Sequence, residues 1–163
     1  MDNTLDAIIK TAAEQHLPFM DWRLFKAQLW QESRFNPKAV SPVGARGVAQ
    51  IMPGTWNEWA PRCDMAGADP FDAEASVTVG AAYMAYLHAK WHSPRPAIDR
   101  VCLTMASYNA GLGSLLNAQK RVQGALLYRE IIRGLPLVTG KYAQETIGYV
   151  RNILSFYARE ITG

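Results

Sequence analysis

Glu32 is the residue of this sequence best placed to act as an acid. Counting backwards along a helix, Leu29, Phe25 and Trp22 lie at steps of three, four and three residues, so the carboxyl shares a stripe with large apolar side chains. A solvated glutamate normally lies on the opposite face. Burial raises a carboxyl pKa above the ~4.3 of a free glutamate, as a general acid working near neutral pH requires. The stripe therefore predicts a carboxyl group able to donate a proton.

The residues after Glu32 predict an irregular loop rather than a longer helix. Regular structure is interrupted by Asn36-Pro37, Ser41-Pro42, Gly44 and Gly47. A carboxyl at the junction of a buried helix and such a loop can lie partly dry beside a cleft. The alternative is a helix-terminal glutamate that binds loop amides, because perturbed carboxyls also occur in structural networks. Position alone leaves both interpretations open.

Three pieces of the sequence stand out for their order and spacing. They are Glu32-Ser33 with Gly44-Ala45-x-Gly47-x-x-Gln50-x-Met52-Pro53, Ala106-Ser107-Tyr108-Asn109-Ala110-Gly111, and Tyr142-x-x-Glu145-Thr146-x-x-Tyr149-Val150. They resemble the catalytic domain of the soluble lytic transglycosylases, a lysozyme-like fold related to goose-type lysozyme. The resemblance extends over about residues 22–157. One departure is Val48-Ala49, where the family usually carries a Leu-Met pair, and it affects packing under the loop rather than chemistry.

The resemblance implies an enzyme that cleaves the β-1,4 bond between N-acetylmuramic acid and N-acetylglucosamine in peptidoglycan. Glu32 would be its sole acid and base, first protonating the glycosidic oxygen and then accepting a proton from the C6 hydroxyl of the muramic acid. That hydroxyl attacks its own anomeric carbon and closes a 1,6-anhydro ring. Most glycosidases use two carboxyls, but an intramolecular attack needs no carboxylate to activate water.

Two other functions remain open at this point. A hydrolytic lysozyme on the same fold would pair Glu32 with a water-positioning Asp from the loop that holds Asp64, Asp69 and Asp72. A peptidoglycan-binding module that has lost activity is a different class. The presence of Glu32, Tyr108 and Gln50 together argues against it.

Three residues of the loop after Glu32 are candidates for substrate binding. The resemblance implies that Ser41 and Gln50 hydrogen-bond near the scissile sugar and that Met52 lines the apolar side of the groove. Each also has an ordinary interpretation. Ser41 can start a turn before Pro42, Gln50 can bind loop backbone, and Met52 can fill the core.

Three further candidates lie in the later pieces. Tyr108 precedes a glycine turn, where its hydroxyl can face a cleft or bond within the core. Asn109 can recognise an N-acetyl group or simply adopt a left-handed cap conformation. Glu145 opens the last helix, where the helix dipole alone favours a carboxylate, and we expect it to support binding rather than catalysis.

The sequence gives no metal or cofactor signature. His88 and His92 are four apart, a spacing that can bind metal, but no third ligand lies nearby, so we expect a solvated face, no metal and no cofactor. Cys63 and Cys102 allow one bridge, although two unpaired thiols are the simpler interpretation. Large aromatics either stack on sugars or fill cores, and this applies to Trp30, Trp56, Trp59 and Trp91.

The hydrophobic pattern predicts a mainly α fold, one lysozyme-like domain over residues 1–163 with about seven to nine helices around a substrate groove. Asn3 or Thr4 would cap the first helix and Asp21 the second. The last helix carries an apolar stripe, formed by Ile147, Val150, Leu154, Tyr157 and Ile161. Other predicted helices cover about residues 73–91, 99–108, 114–122 and 127–133. Predicted breaks are Pro53-Gly54, Gly111, Gly113 and Gly134-Leu135-Pro136.

Composition limits the partners. With 49% apolar residues in 163, a core can form without disulfides, and a net charge of +3 with no Lys/Arg stripe argues against nucleic acid. No stretch approaches the ~20 apolar residues of a membrane span. Residues 1–6 carry acids and no apolar segment, so we read no secretory signal.

The resemblance implies a monomer that acts on glycan strands of the periplasmic cell wall. The absence of a signal favours a phage endolysin, made in the host cytoplasm and released through a holin-like pore. A domain of an exported bacterial protein, or a secretion-system enzyme, would look alike.

Overall fold

The computed structural model describes residues 3–163 and is mainly helical. Within that range it has no β-strand, only two isolated antiparallel bridges that join Val40 with Arg46 and Arg46 with Ile51. The mainly α prediction is therefore confirmed. The α-helices are α1 Asp6–His16, α2 Trp22–Ser33, α3 Pro53–Trp59, α4 Ala73–Lys90, α5 Ala97–Ala110, α6 Leu112–Arg121, α7 Tyr128–Gly134, α8 Pro136–Thr139 and α9 Ala143–Thr162. Short 3₁₀ helices cover Pro61–Cys63 and Gly140–Tyr142.

The chain divides into two compact units. Unit 1 comprises Met1–Ala85 and Ile153–Gly163, and unit 2 comprises Tyr86–Asn152. The boundaries fall within α4 and α9. In unit 1, α1 packs against α2, and in unit 2, α6 packs against α5, α7 and α8. The expectation of a single domain over residues 1–163 stays a prediction.

No helix among residues 3–163 combines the length and the hydrophobicity that crossing a bilayer demands. The first two positions of the segment that was read for a secretory signal lie outside the described residues.

Helix α2, which carries Glu32, begins and ends as its sequence predicts. The Asp21 carboxylate accepts the backbone N–H of Arg23 at 2.9 Å and so satisfies a donor of the first turn. The helix ends at Arg34, which adopts the left-handed conformation with φ 55°. Phe25 and Leu29 are fully buried, as the apolar stripe predicts. The buried stripe fixes the rotation of the helix about its axis.

Lys26, in the middle of α2, is also completely buried, which the sequence did not predict. Its ammonium lies 2.8 Å from an Asp6 oxygen and 2.6 Å from a Glu160 oxygen, and it donates to the Asn3 amide oxygen at 2.7 Å. Burial alone lowers the pKa of a lysine, but the bonds to the two carboxylates outweigh it, and the pKa of Lys26 is raised. One ammonium thus joins α1, α2 and α9 within unit 1.

The predicted break at Pro53-Gly54 is wrong, because both residues lie in α3, which begins at Pro53. The predicted break at Gly134-Leu135-Pro136 is present but short, since α7 ends at Gly134 and α8 begins at Pro136. Proline suits this position because the first helical N–H has no intrahelical partner and the ring already sets the required φ. Each proline therefore starts a helix.

The predicted cap of α1 is also wrong. The capping position is Leu5, with no side-chain hydrogen bond, while the Asn3 side chain binds Lys26 instead. Gly113 does not end a helix either, since it lies inside α6. Gly111 does separate α5 from α6, but its φ of 88° and ψ of 140° are not the left-handed helical conformation.

Candidate functional site

Glu32 lies in the last turn of α2 and is half-buried. Its neighbour Ser33 donates a hydrogen bond from Oγ to the carbonyl of Val48 at 2.8 Å. That contact joins the end of α2 to the loop of residues 36–52, the Glu32 loop. The predicted junction of buried helix and irregular loop is therefore present.

The Glu32 loop is fixed through its own backbone. The carbonyl of Ala39 accepts both the N–H of Gly47 at 2.9 Å and the side-chain amide of Gln50 at 3.2 Å. The N–H of Ala49 donates to Ser76 Oγ of α4 at 3.1 Å. Val48 and Ala49 are fully buried, so the small pair that departs from the family pattern packs without exposure.

Gly47 is the one position of this loop that admits no side chain. Its φ is 75°, a conformation that favours glycine, and a Cβ there would lie 2.1 Å from the carbonyl oxygen of Pro70. It would also meet Ser76 Oγ at 2.8 Å. The loop can approach α4 only because this residue is glycine.

The three loop candidates have different surroundings. Ser41 Oγ accepts the N–H of Ala45 at 3.0 Å, and Gln50 donates to the carbonyls of Gly47 and Ala39 at 3.0 and 3.2 Å. Both side chains therefore have the loop-supporting contacts of their ordinary interpretations. Met52 is 42% exposed, so the interpretation that it fills the core is wrong.

Unit 2 brings Asn109 and Glu145 to one cavity of about 420 Å³. Asn109 Oδ1 accepts a hydrogen bond from the buried hydroxyl of Thr146 at 2.7 Å. Glu145 is exposed in the first turn of α9. The full lining is Asn109, Ala110, Val138, Thr139, Tyr142, Glu145 and Thr146. Asn109 lies within α5, so the cap conformation considered for it is wrong.

Tyr108 is half-buried in the last turn of α5 and is not part of that lining. Thr146 is the residue that sequence reasoning missed. It stands in the third motif piece next to Glu145, yet a buried threonine gives no local signal of its partner. The helix pairing of α5 with α9 is needed to find it.

The aspartates of the loop after α3 are largely committed to backbone contacts. Asp72 accepts the N–H of Ala75 at 2.8 Å at the start of α4, and Asp69 accepts the N–H of Phe71 at 2.9 Å. Asp64 is exposed, in the left-handed conformation with φ 57°. Two of the three thus already serve as local caps.

The histidine pair does not share a helix. α4 ends at Lys90, so the exposed His92 lies beyond it, while His88 is half-buried rather than solvated. Burial, together with the charge of Arg100, lowers the pKa of His88 to about 4. Across residues 3–163, no group of three or more His, Cys, Asp or Glu side chains is arranged to hold a metal ion.

Both cysteines are free, as the sequence favoured. Cys102 is buried in unit 2, and burial raises the pKa of its thiol to about 12, whereas Cys63 is half-buried in unit 1. The tryptophans divide by burial. Trp56 and Trp91 belong to the core, and Trp30 and Trp59 are half-buried.

Comparison with known proteins decides the family. The model of the transglycosylase SLT domain matches residues 7–130, which is well over half of the chain. The chain belongs to the transglycosylase SLT domain family.

Curated relatives and solved structures agree with this membership. Among them is the membrane-bound lytic murein transglycosylase F of Desulfosudis oleivorans, 32% identical over 88% of this chain and 31% of that protein. The corresponding protein of Serratia proteamaculans is 31% identical over 91% of this chain. The 70 kDa soluble lytic transglycosylase of Escherichia coli is similar in structure, with a TM-score of 0.77 and 27% identity over 99% of this chain and 25% of that one. The chain thus spans about a third of these relatives' length or less.

Proposed function

We propose that this chain is a lytic transglycosylase domain that cleaves the β-1,4 bond between N-acetylmuramic acid and N-acetylglucosamine in peptidoglycan. Membership of the SLT domain family supports the reaction class. The observation that carries the choice of acid is the half-buried Glu32 in the last turn of α2, next to a loop fixed by its own hydrogen bonds. A fixed frame matters because small displacements of reacting groups slow a reaction strongly.

In the proposed reaction Glu32 donates its proton to the glycosidic oxygen as that oxygen leaves the anomeric carbon. The carboxylate then takes the proton of the C6 hydroxyl of the muramic acid, and the hydroxyl oxygen bonds to the same anomeric carbon. Glu32 ends in its starting protonation state, and no water enters. One carboxyl is therefore sufficient for both proton transfers.

We assign glycan binding to six further side chains, argued for each unit separately. In unit 1, Met52 offers exposed apolar surface, while Ser41 and Gln50 hold the loop and present their remaining polar atoms. In unit 2, the cavity with Asn109 and Glu145 offers an amide and a carboxylate of the kind that bind sugar hydroxyl and N-acetyl groups. Tyr108 is assigned by its motif alone.

Product analysis tests the proposal against a hydrolase. A hydrolase adds water at the anomeric carbon, whereas the proposed reaction leaves each fragment lighter by one water and inert to borohydride. Digested peptidoglycan analysed by mass spectrometry should contain 1,6-anhydro ends. Predominantly reducing ends would make the chain a lysozyme, and absence of cleavage would make it a binding module.

Two finer points belong to the same proposal. We expect the domain to act as a monomer, which sedimentation velocity measures directly. We also expect release to the cell wall through a holin-like pore, as for a phage endolysin. A holin gene next to this one would support that route, and a neighbourhood of secretion-system genes would contradict it.

A further inference from the structure

Unit 1 contains a cavity of about 420 Å³ that has no part in the proposed reaction. Its lining combines two aromatic rings, two guanidinium groups and one carboxylate. The residues are Trp30, Arg34, Phe156, Arg159 and Glu160. They come from the end of α2 and the end of α9.

Both arginines lie over the aromatic walls. The guanidinium carbon of Arg34 lies 4.9 Å from the ring centroid of Trp30 and 5.1 Å from that of Phe156. The guanidinium carbon of Arg159 lies 4.9 Å from the same Phe156 centroid. A guanidinium attracted to a ring in this way keeps N–H groups that can donate to an acceptor.

Neither arginine of the cavity has a carboxylate of its own. Within residues 3–163, neither Arg34 nor Arg159 forms an ion pair. Glu160 and Asp6 both contact the buried Lys26 ammonium, at 2.6 and 2.8 Å, so these two carboxylates and the three cations leave a net charge of +1. The C-terminal ends of α2 and α9 each offset up to about half a charge of this excess. The cavity therefore offers an anion two guanidiniums that lack ion-pair partners, rather than a large excess of positive charge.

We propose that this cavity binds a carboxylate of the peptide stems carried by peptidoglycan strands, an inference that rests on the proposed function. A guanidinium matches the two oxygens of a carboxylate, and the aromatic walls match the short apolar side chains beside it. Arg34 follows Glu32 by two residues, so their Cα atoms are at most about 7 Å apart. The stem is attached to the muramic acid whose bond Glu32 cleaves, which puts an anionic group of the substrate in this neighbourhood.

The probe is N-acetyl-D-alanyl-D-alanine, titrated into the intact protein and followed by NMR of the Trp30 indole signal. We expect binding in the millimolar range, about tenfold weaker for the uncharged peptide amide, because a hydrogen bond to a charged group is lost. The double substitution Arg34→Gln/Arg159→Gln should abolish binding. Both side chains are exposed, so the fold should survive, which circular dichroism checks. The control Arg151→Gln removes an exposed arginine of α9 outside the cavity and should bind as the wild type does.

Other outcomes overturn the proposal. Equal binding of peptide and amide, or equal loss in Arg151→Gln, would show that no carboxylate is recognised in this cavity. Inorganic phosphate is the second probe, because the same chemistry also suits a free phosphate. If phosphate binds more tightly than the peptide and depends on the same arginines, the cavity is a phosphate site and the stem is excluded. The peptide contains no sugar, so this result is independent of whether Glu32 cleaves glycan.

Discussion

In unit 1 the candidate residues lie on an irregular loop and at a helix end, whereas in unit 2 two of the three line a cavity beside continuous helices. The Glu32 loop is held by single contacts, such as Ser33 to Val48 and Ala49 to Ser76. Asn109 and Glu145 are instead held by α5 and α9, whose positions depend on many packed side chains. The candidate residues of the two units are thus supported in two physically different ways.

This difference implies a difference in tolerance. A loop that depends on a few individual hydrogen bonds loses its geometry when one of these bonds is removed or when an added side-chain atom collides with its surroundings. Helices are positioned by the packing of many side chains, so the removal of one polar contact does not change their position. Substitutions should therefore be severe in the Glu32 loop and mild around the unit 2 cavity.

The largest contrast is expected between the two glutamates. Glu32→Gln should reduce the rate of anhydro-fragment release by at least ~10²–10⁴-fold, because one positioned acid and base serves both steps. Glu145→Gln removes an exposed charge, and the rate should stay within about tenfold of the wild type. Mass spectrometry of timed digests measures both rates, with circular dichroism as the check on folding. A comparable loss of rate in both variants would contradict the expected difference in tolerance between unit 1 and unit 2.

Gly47→Ala tests the loop frame next. The added Cβ would lie 2.1 Å from the Pro70 carbonyl oxygen, so the loop must move, and we expect a loss of about 1–3 kcal/mol in the free energy of unfolding. Gly44→Ala is the matched control, since Gly44 also has a positive φ, 94°, but an added Cβ meets nothing within 4 Å. Urea denaturation of the two variants separates backbone strain from collision. Equal losses of unfolding free energy in the two variants would mean that the close approach of Gly47 to Pro70 and Ser76 contributes nothing beyond the positive φ.

Thr146→Val tests the cavity of unit 2, whose residues are positioned by helices. It removes the 2.7 Å hydrogen bond to Asn109 Oδ1 without changing the shape of the side chain, so stability should fall by about 1 kcal/mol. The KM for glycan strands should rise while kcat stays close to the wild-type value, because Asn109 is assigned to binding. Thr139→Val, which removes a longer bond of 3.3 Å to the Leu135 carbonyl, serves as the control from the same cavity. A selective fall in kcat in Thr146→Val would place Asn109 in the chemical step.

The last effect concerns pH and is small near neutral pH. The pKa of His88 is lowered by burial and by Arg100 to about 4, from 6.5 in an unfolded chain. The unfolded chain therefore binds the proton first, so stability is complete above pH 6.5 and falls as pH drops towards about 4. His88→Gln should flatten this dependence, and His92→Gln, which changes an exposed histidine, should not. Urea midpoints measured across this range decide the matter.

The sequence predicts the long elements well because their signals are local and redundant. The apolar stripes of α2 and α9 each repeat over several turns, and the structure has helices there, Trp22–Ser33 and Ala143–Thr162, with Asp21 capping the first of them. The predicted break at Pro53 is wrong because a proline can either interrupt a helix or be its first residue, as Pro53 is in α3. Local chemistry at a proline does not say on which side of it the helix lies.

Of the candidate site, the sequence predicts only the residues that stand in the three motif pieces. Glu32 lies at the helix end where the pattern places it. The contacts that hold its surroundings join residues far apart in the chain, such as Ala49 with Ser76, and no local pattern records them. The arginine cavity was missed for the same reason, because Arg34 and Arg159 resemble ordinary surface charges until α2 and α9 are packed together.

The buried Lys26 also sets an order of events during synthesis. Its partner Glu160 follows 134 residues later, which at about 5–20 residues per second means roughly 7–27 s on the ribosome. Until Glu160 emerges, the Lys26 ammonium lacks one of its two carboxylates and burying it is costly. Unit 2, residues 86–152, has left the ribosome's peptidyl-transferase centre by then. The nascent chain can therefore complete its second unit first, and the first unit closes only when the last helix arrives.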